Sequence, residues 1–416
     1  MPTQTSVGPS PTASLTDEAT RTRYAEAIVD TCLGVALGEL VVVRGEPAHR
    51  ELIVALTEAA YRAGARHVDA WYLDPRVRRA RIAYAREDAL GSLQPWEVDR
   101  LRACVGPDAS IISITGEDLP NAFADLSAAR VAEDFRRPVR KTRWFMRAQA
   151  EERVRFCVVG WPTEAWAADV YPDLAPSTAV EQLGRDLLWF CRLDPQDDER
   201  AWDDHLATLV ERARALSERP LRGILLRGPG TALDVVLAPG TRFLTAASEN
   251  AYGQTPCLNF PTEEIYTSPV AGATEGTFRC SRPLSLQGRL IEGIEGEFRR
   301  GRLVRLDASR PADLEVLAAY LDIDRGARRL GELALVDRSS RIGQTGRIYN
   351  DSLIDENAAS HIAFGSGFRT ARPDGGPVNE SAAHLDVMIG SDELEVTAVV
   401  EGGARLSVIA DGEWQL

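Results

Sequence analysis

Only five histidines occur in 416 residues, and two of them stand where they can chelate a cation. His384 and Asp386 are alternate residues of the run AHLDVMIG. Read as a strand, that run puts an imidazole and a carboxylate on one face, where they can grip a single divalent ion. A strand-edge histidine bonded to its own neighbour has the same pattern. His361 ends the segment NDSLIDENAASH, where the pattern predicts a helix over 355–364. Asp355 caps that helix, and Glu356 falls in its first turn, where negative charge is favoured. His361 lies one turn past Asn357 on the same face. A histidine that packs helix against helix fits equally well.

Glu332 interrupts the apolar run LGELALV. A carboxylate in a buried strand is costly unless it is paired or metal-bound. Arg328 and Arg329 are close enough in sequence to be its partners, and a metal is the alternative. Glu263 and Glu264 are adjacent in NFPTEEIYTSP. They read either as surface charges or as one metal ligand beside one supporting or base group. His49, His67 and His205 read as structural or surface residues. No GxSxG elbow and no Walker A loop occurs. Gly365-Ser366-Gly367 follows the predicted helix rather than a strand, so it fails the context of a dinucleotide loop.

Elements must hold these side chains in place, and the chain has length for two or three domains. Residues 1–16 are polar and rich in Pro, Ser and Thr, with no basic start or apolar run, and read as a disordered tail. From Asp17 onward helix and strand signals alternate. Strands are predicted at 40–43, 67–73, 110–115 and 154–159. Helices are predicted at 52–63, 76–86, within 122–149, at 177–192 and at 198–217. That rhythm predicts a parallel sheet covered by helices. After about residue 220 strand-like runs dominate, at 222–227, 233–237, 286–293, 302–306, 331–336, 383–389 and 393–400, with a helix at 311–330. The expected architecture is an α/β N-terminal domain over 17–220, then a β-rich α+β C-terminal metal-binding domain over 221–416.

Composition limits the partners. With 48 basic and 62 acidic residues the formal charge is −14, which disfavours nucleic acid and anionic membranes. No run approaches the length of a membrane span. The six cysteines form no CxxC pair and read as buried thiols in a reducing, cytoplasmic compartment.

Four segments together resemble the aminopeptidase T family of leucyl-type metallo-aminopeptidases. They are NFPTEEIYTSP, EGTFRCSRPLSLQGRLIEGI, LGELALV with NDSLIDENAASHIAFG, and NESAAHLDVMIGSDEL. GARHVDAWYLDPRVRRAR and RGPGTALDVVL extend the resemblance through the N-terminal half. It implies two divalent ions, zinc, cobalt, manganese or magnesium, held by Glu264, Glu332, His361, His384 and Asp386. It implies a homodimer acting on peptides or aminoacyl amides, with a metal-activated water attacking the scissile carbonyl and Glu263 or Glu356 as general base. Two departures stand out. Phe368 occupies the place, seven residues after His361, where the family has a tyrosine. The segment between His361 and His384 is also short. The same scaffold resembles mononuclear iron dioxygenases that open dihydroxypyridine rings, so a ring-opening dioxygenase, a specialised amide hydrolase and a non-catalytic binding protein are the alternatives.

Overall fold

The computed structural model describes residues 8–10, 13–286 and 289–416. Four strands near the N-terminus form one parallel sheet in the order His67–Tyr72, Leu40–Gly45, Ala109–Thr115, Arg155–Gly160. The inner strands read LVVVRG and ASIISIT and are buried along most of their length, as strands covered by helices on both faces must be. Helices Arg50–Arg62, Pro176–Phe190 and Ala201–Ser217 lie along the first half of the chain. The sheet's fifth strand, Asn259–Phe260, comes from far downstream and pairs parallel with Arg155–Gly160.

Two antiparallel sheets follow. The larger runs Arg302–Asp307, Glu295–Arg299, Glu275–Arg279, Thr231–Val236, Leu221–Gly228, Glu395–Val400, Arg405–Ala410, Glu413–Trp414. The smaller runs His384–Met388, His361–Gly365, Leu330–Leu335, Ile265–Thr267, Leu244–Thr245. One apolar core contains Ile265, Leu330, Leu333, Leu335, Ile362, Phe364, Leu385 and Val387 from the smaller sheet.

The smaller sheet carries a register shift between Leu330 and Glu332. Leu330 pairs with Phe364 and Glu332 with Ala363, so Gly331 is the extra residue of a β-bulge. Strict alternation would put Leu330 on the same side as Glu332. The bulge lets Leu330, Leu333 and Leu335 all enter the core while Glu332 faces the other way. A Cβ at Gly331 would lie 2.2 Å from the carbonyl oxygen of Ser366 and 2.4 Å from that of Gly365. Only glycine fits there.

Several expectations change. The segment 355–364 is not a helix. A five-residue helix spans Ser352–Glu356, capped by Asp351, whose carboxylate accepts from the Ile354 amide at 3.3 Å. Asp355 lies inside it and His361 opens a strand. Gly365-Ser366-Gly367 therefore follows a strand, but only the short helical turn Arg369–Ala371 comes after it. The predicted helix 311–330 stops at Leu321. The helical stretch within 122–149 divides into Ala128–Lys141 and Arg143–Ala150, with Pro138 inside the first piece. Of the strand expected at 286–293, residues 287–288 lie outside the described residues, and Leu290–Ile291 pairs antiparallel with Leu284–Ser285. Of the predicted disordered tail, residues 1–7 and 11–12 lie outside the described residues. Of the rest, Ser10, Ser14 and Leu15 are buried. Ser10 donates its amide to Asp194 at 2.7 Å, and Leu15 is fully buried in the core. Residue 220 falls between helix Ala201–Ser217 and strand Leu221–Gly228.

Arg155 and Glu39 form an ion pair inside the parallel sheet, with side chains 1% and 2% exposed. Glu39 also accepts from the Ala36 amide at 2.8 Å. Removing the cation strands a buried carboxylate. Arg155→Met is expected to lose about 3–5 kcal/mol of unfolding free energy, read from the midpoint of urea denaturation.

Candidate metal centre

Three neighbouring strands of the smaller sheet supply most of the charged groups. Across that sheet Glu332 is opposite Ala363, and Ala363 is opposite Asp386. His361 is opposite Ala334, and Ala334 opposite Tyr266. Residues directly opposite share a face, as do alternate residues of one strand. Glu332, His361, His384, Asp386 and Tyr266 therefore share one face. Glu264 lines the same cavity, two residues before Tyr266. Between these side chains stand only Ala334, Ala363 and Gly365, which leave room above the sheet.

The geometry is tight. His361 Nε2 is 3.2 Å from Glu264 Oε2 and 3.8 Å from Asp386 Oδ1. His384 Nε2 is 3.2 Å from Glu332 Oε2 and 3.4 Å from Asp386 Oδ1. Ligand atoms of Glu264, Glu332 and His361 lie within 4.8 Å of one another, and so do those of Glu332, His384 and Asp386. Glu332 belongs to both groups. Neither Arg328 nor Arg329 reaches it. Arg328 pairs with Asp322, and Arg329 donates to the Ala271 carbonyl.

Both imidazoles are oriented through their other nitrogen. His361 Nδ1 lies 3.1 Å from the Glu356 carbonyl, and His384 Nδ1 lies 3.2 Å from the Ser366 carbonyl. A carbonyl only accepts, so each Nδ1 carries a proton and each Nε2 is turned to the carboxylates, the arrangement of a metal-ligating histidine.

These side chains line a cavity of about 330 Å³. Its wall holds five carboxylates, from Glu152, Glu264, Glu332, Glu356 and Asp386, and no lysine or arginine. Burial pushes the Glu264 carboxyl up to about 8; the charge of His361 pulls against this and those of Glu332 and Asp386 add to it. Burial, then the charges of Asp386, Glu264 and Glu332, hold Glu356 well above the usual carboxylate range. Burial opposes charge on the histidines as well, yet the surrounding carboxylates raise both, His384 most strongly. Asp386 is lowered, because His384 outweighs its burial. Clustered carboxylates with two correctly turned imidazoles and no basic side chain fit divalent cations.

A family model described as thermophilic metalloprotease (M29) matches residues 17–414. The chain belongs to the M29 metalloprotease family. It is 34% identical to aminopeptidase T of Thermus thermophilus over 400 residues, 94% of this chain and 97% of that one. It is 28% identical to aminopeptidase 2 of Geobacillus stearothermophilus over 402 residues, again 94% and 97%. The solved structure of wild-type AmpT from Thermus thermophilus superposes with a TM-score of 0.83 at 33% identity, covering 96% of this chain and all of that one. A 2,5-dihydroxypyridine dioxygenase from Pseudomonas putida shares the fold alone, at 14% identity and a TM-score of 0.53.

Within this M29 chain the structure brings Glu264, Glu332, His361, His384 and Asp386 together, with Glu356 and Phe368 on the same cavity wall. It does not bring Glu263. That carboxylate is turned the other way into Arg192, at 2.6 and 3.0 Å, with His205 at 3.5 Å. Adjacent residues of extended chain point to opposite sides, so one of two neighbouring glutamates had to leave the cavity. Glu263 is thereby tied to Arg192 just ahead of strand Ile265–Thr267, outside the cavity lining. His361 reaches the site from a strand rather than a helix. Phe368 places its ring 4.7 Å from that of Tyr266 and 5.8 Å from that of His384. Three contributors escaped the sequence reading. Tyr266 carried a signal, its period-two spacing from Glu264. Asn259, which holds Glu356, and Glu152 carried none, because their places depend on distant strands.

Ligation requires Glu264 to be ionised, and its carboxyl is raised to about 8. Below that pH a proton must leave before a cation enters. Affinity for zinc is therefore expected to rise with pH from 6 through 8, with protons released on binding from Glu264 and from the raised histidines. Calorimetry in buffers of different ionisation enthalpy checks both the trend and the release.

Proposed function

We infer that this chain is a metal-dependent aminopeptidase whose two divalent cations share Glu332. Glu264, His361 and Glu332 would hold one cation, and His384, Asp386 and Glu332 the other. The observation that carries this reading is the membership of Glu332 in both ligand groups, in a cavity without a basic side chain. Imidazole with carboxylate suits zinc, cobalt or manganese, and the oxygen-rich remainder admits magnesium. Bound there, the cations supply Lewis-acid polarisation of a carbonyl and a water acidic enough to attack near neutral pH.

The chain's own residues do the rest. The carboxyl of Glu356 is held at Oε1 by Asn259 Nδ2 at 2.9 Å and Asn357 Nδ2 at 3.4 Å. Its Oε2 is assigned the proton of the attacking water, which it then returns to the leaving amine. With Glu264, Glu332 and Asp386 neutralised, the charges that add to burial in raising Glu356 disappear, which eases its ionisation. The apolar part of the wall includes Met146, Val154, Phe156, Leu258 and Phe368. It excludes water and receives the side chain of the substrate's N-terminal residue. Phe368 contributes surface but no hydroxyl. The substrate is a peptide or aminoacyl amide, and the reading includes a cytoplasmic homodimer with its catalytic domain beyond about residue 220.

Elemental analysis of the purified protein with an assay on leucyl anilide tests this. Two zinc-like ions per chain and hydrolysis are expected; one iron and no hydrolysis would overturn it. Glu356→Gln is expected to lower kcat by roughly 10²–10⁴ with metal content unchanged. Phe368→Tyr adds one donor beside His384 and is expected to raise leucyl hydrolysis several-fold, part of the roughly 10²–10³ that one oxyanion donor commonly contributes. An unchanged rate with both metals bound would assign the family difference to the short segment 369–380.

A further inference from the structure

One carboxylate of the cavity belongs neither to the cation groups nor to the proposed base. Glu152 lies in the turn after helix Arg143–Ala150, with a positive φ of 53°. It is 9% exposed and lines the cavity that holds His361 and His384. Its backbone is pinned, the amide to the Gln149 carbonyl at 2.8 Å and the carbonyl by the Ala251 amide at 3.1 Å. One carboxylate oxygen accepts from Thr370 Oγ1. The other, Oε2, is buried and has no hydrogen-bond partner among the described residues.

The nearby cations are taken by its neighbour. Glu151 pairs with Arg147 at 2.9 Å and Arg153 at 2.8 Å. Arg369, 3.9 Å from Glu151, is bound to Glu380. None of them forms an ion pair with Glu152. A second polar atom of the cavity is in the same condition. The phenol oxygen of Tyr266 is buried and unpartnered. It lines the same cavity as Glu152, and burial, then the charge of Glu152, pushes its pKa well up. The same cavity wall carries Met146, Val154, Phe156, Pro256 and Leu258, suited to the methylenes of a long side chain. A buried carboxylate with an empty acceptor is unfavourable by itself, and a cation delivered there removes that cost.

We propose that Glu152 is a specificity-determining residue that takes the cationic side chain of an N-terminal lysine or arginine. The assignment rests on the aminopeptidase reading above. The α-amino group goes to the metal groups, because Glu152 shares no contact with any of their five side chains.

The test compares lysine with norleucine, which has the same methylene stem and no charge. Titration calorimetry of each free amino acid into the metal-loaded protein is expected to give lysine the tighter binding by about ten-fold or more. In Glu152→Gln that ratio, and the ratio of kcat/KM for lysyl over leucyl anilide, should both fall about ten-fold. Equal binding of the two amino acids, or ratios that survive the substitution, overturns the assignment. Should the variant not fold, the comparison on the unsubstituted protein decides alone. Leucyl hydrolysis without any lysine preference rejects the Glu152 assignment only. Absence of hydrolysis of every aminoacyl anilide rejects the peptidase reading and this inference with it.

Discussion

Leu330, Leu333 and Leu335 enter the core while Glu332, between them, faces the cavity, and a plain strand cannot satisfy both conditions. The bulge at Gly331 resolves it by one residue of register, and the chemistry depends on that shift. Without it either Leu330 or Glu332 would face the wrong side of the sheet. The remaining charged residues of the sheet need no such device. His361, His384 and Asp386 fall on the cavity face by simple alternation, while Ile362, Leu385 and Val387 fill the core behind them. The sheet is therefore a partition, with aliphatic packing on one side and ionisable groups on the other.

The segment NFPTEEIYT joins this partition to the rest of the molecule. Asn259–Phe260 is the last strand of the parallel sheet, and Ile265–Thr267 belongs to the antiparallel one. Between them, Glu263 is fastened to Arg192 and Glu264 is turned to the cavity. Asn259 reaches Glu356, and Tyr266 lines the cavity wall. A stretch of nine residues thus fixes both walls relative to each other. Its two adjacent glutamates have opposite fates for a geometric reason. The one has a guanidinium partner, and the other faces carboxylates and an imidazole.

Electrostatics completes this division of labour. Elsewhere in the protein several buried carboxylates are matched by arginines, Glu39 by Arg155, Asp134 by Arg78 and Arg81, Asp355 by Arg282. In the cavity they are matched only by two imidazoles whose Nδ1 atoms are committed to carbonyls. A fold with 48 lysines and arginines places none on this wall among the described residues, which leaves the cavity strongly favourable to cations.

The sequence alone determined which residue types could ligate and much of the element order. HLDVM has period two, and LGELAL carries a carboxylate among aliphatic residues; both patterns are local and survive in the structure. The helix placed over 355–364 failed because Asp351, not Asp355, supplies the cap, and because Ile362 and Phe364 are drawn into the core of a sheet whose other strands are distant in sequence. Tertiary structure also chose between Glu263 and Glu264, since the guanidinium that claims one of them lies 71 residues away. It revealed Glu152 for the same reason: an unpaired oxygen is defined by what surrounds it, and nothing in a run of adjacent glutamates says which one the fold will leave without a partner.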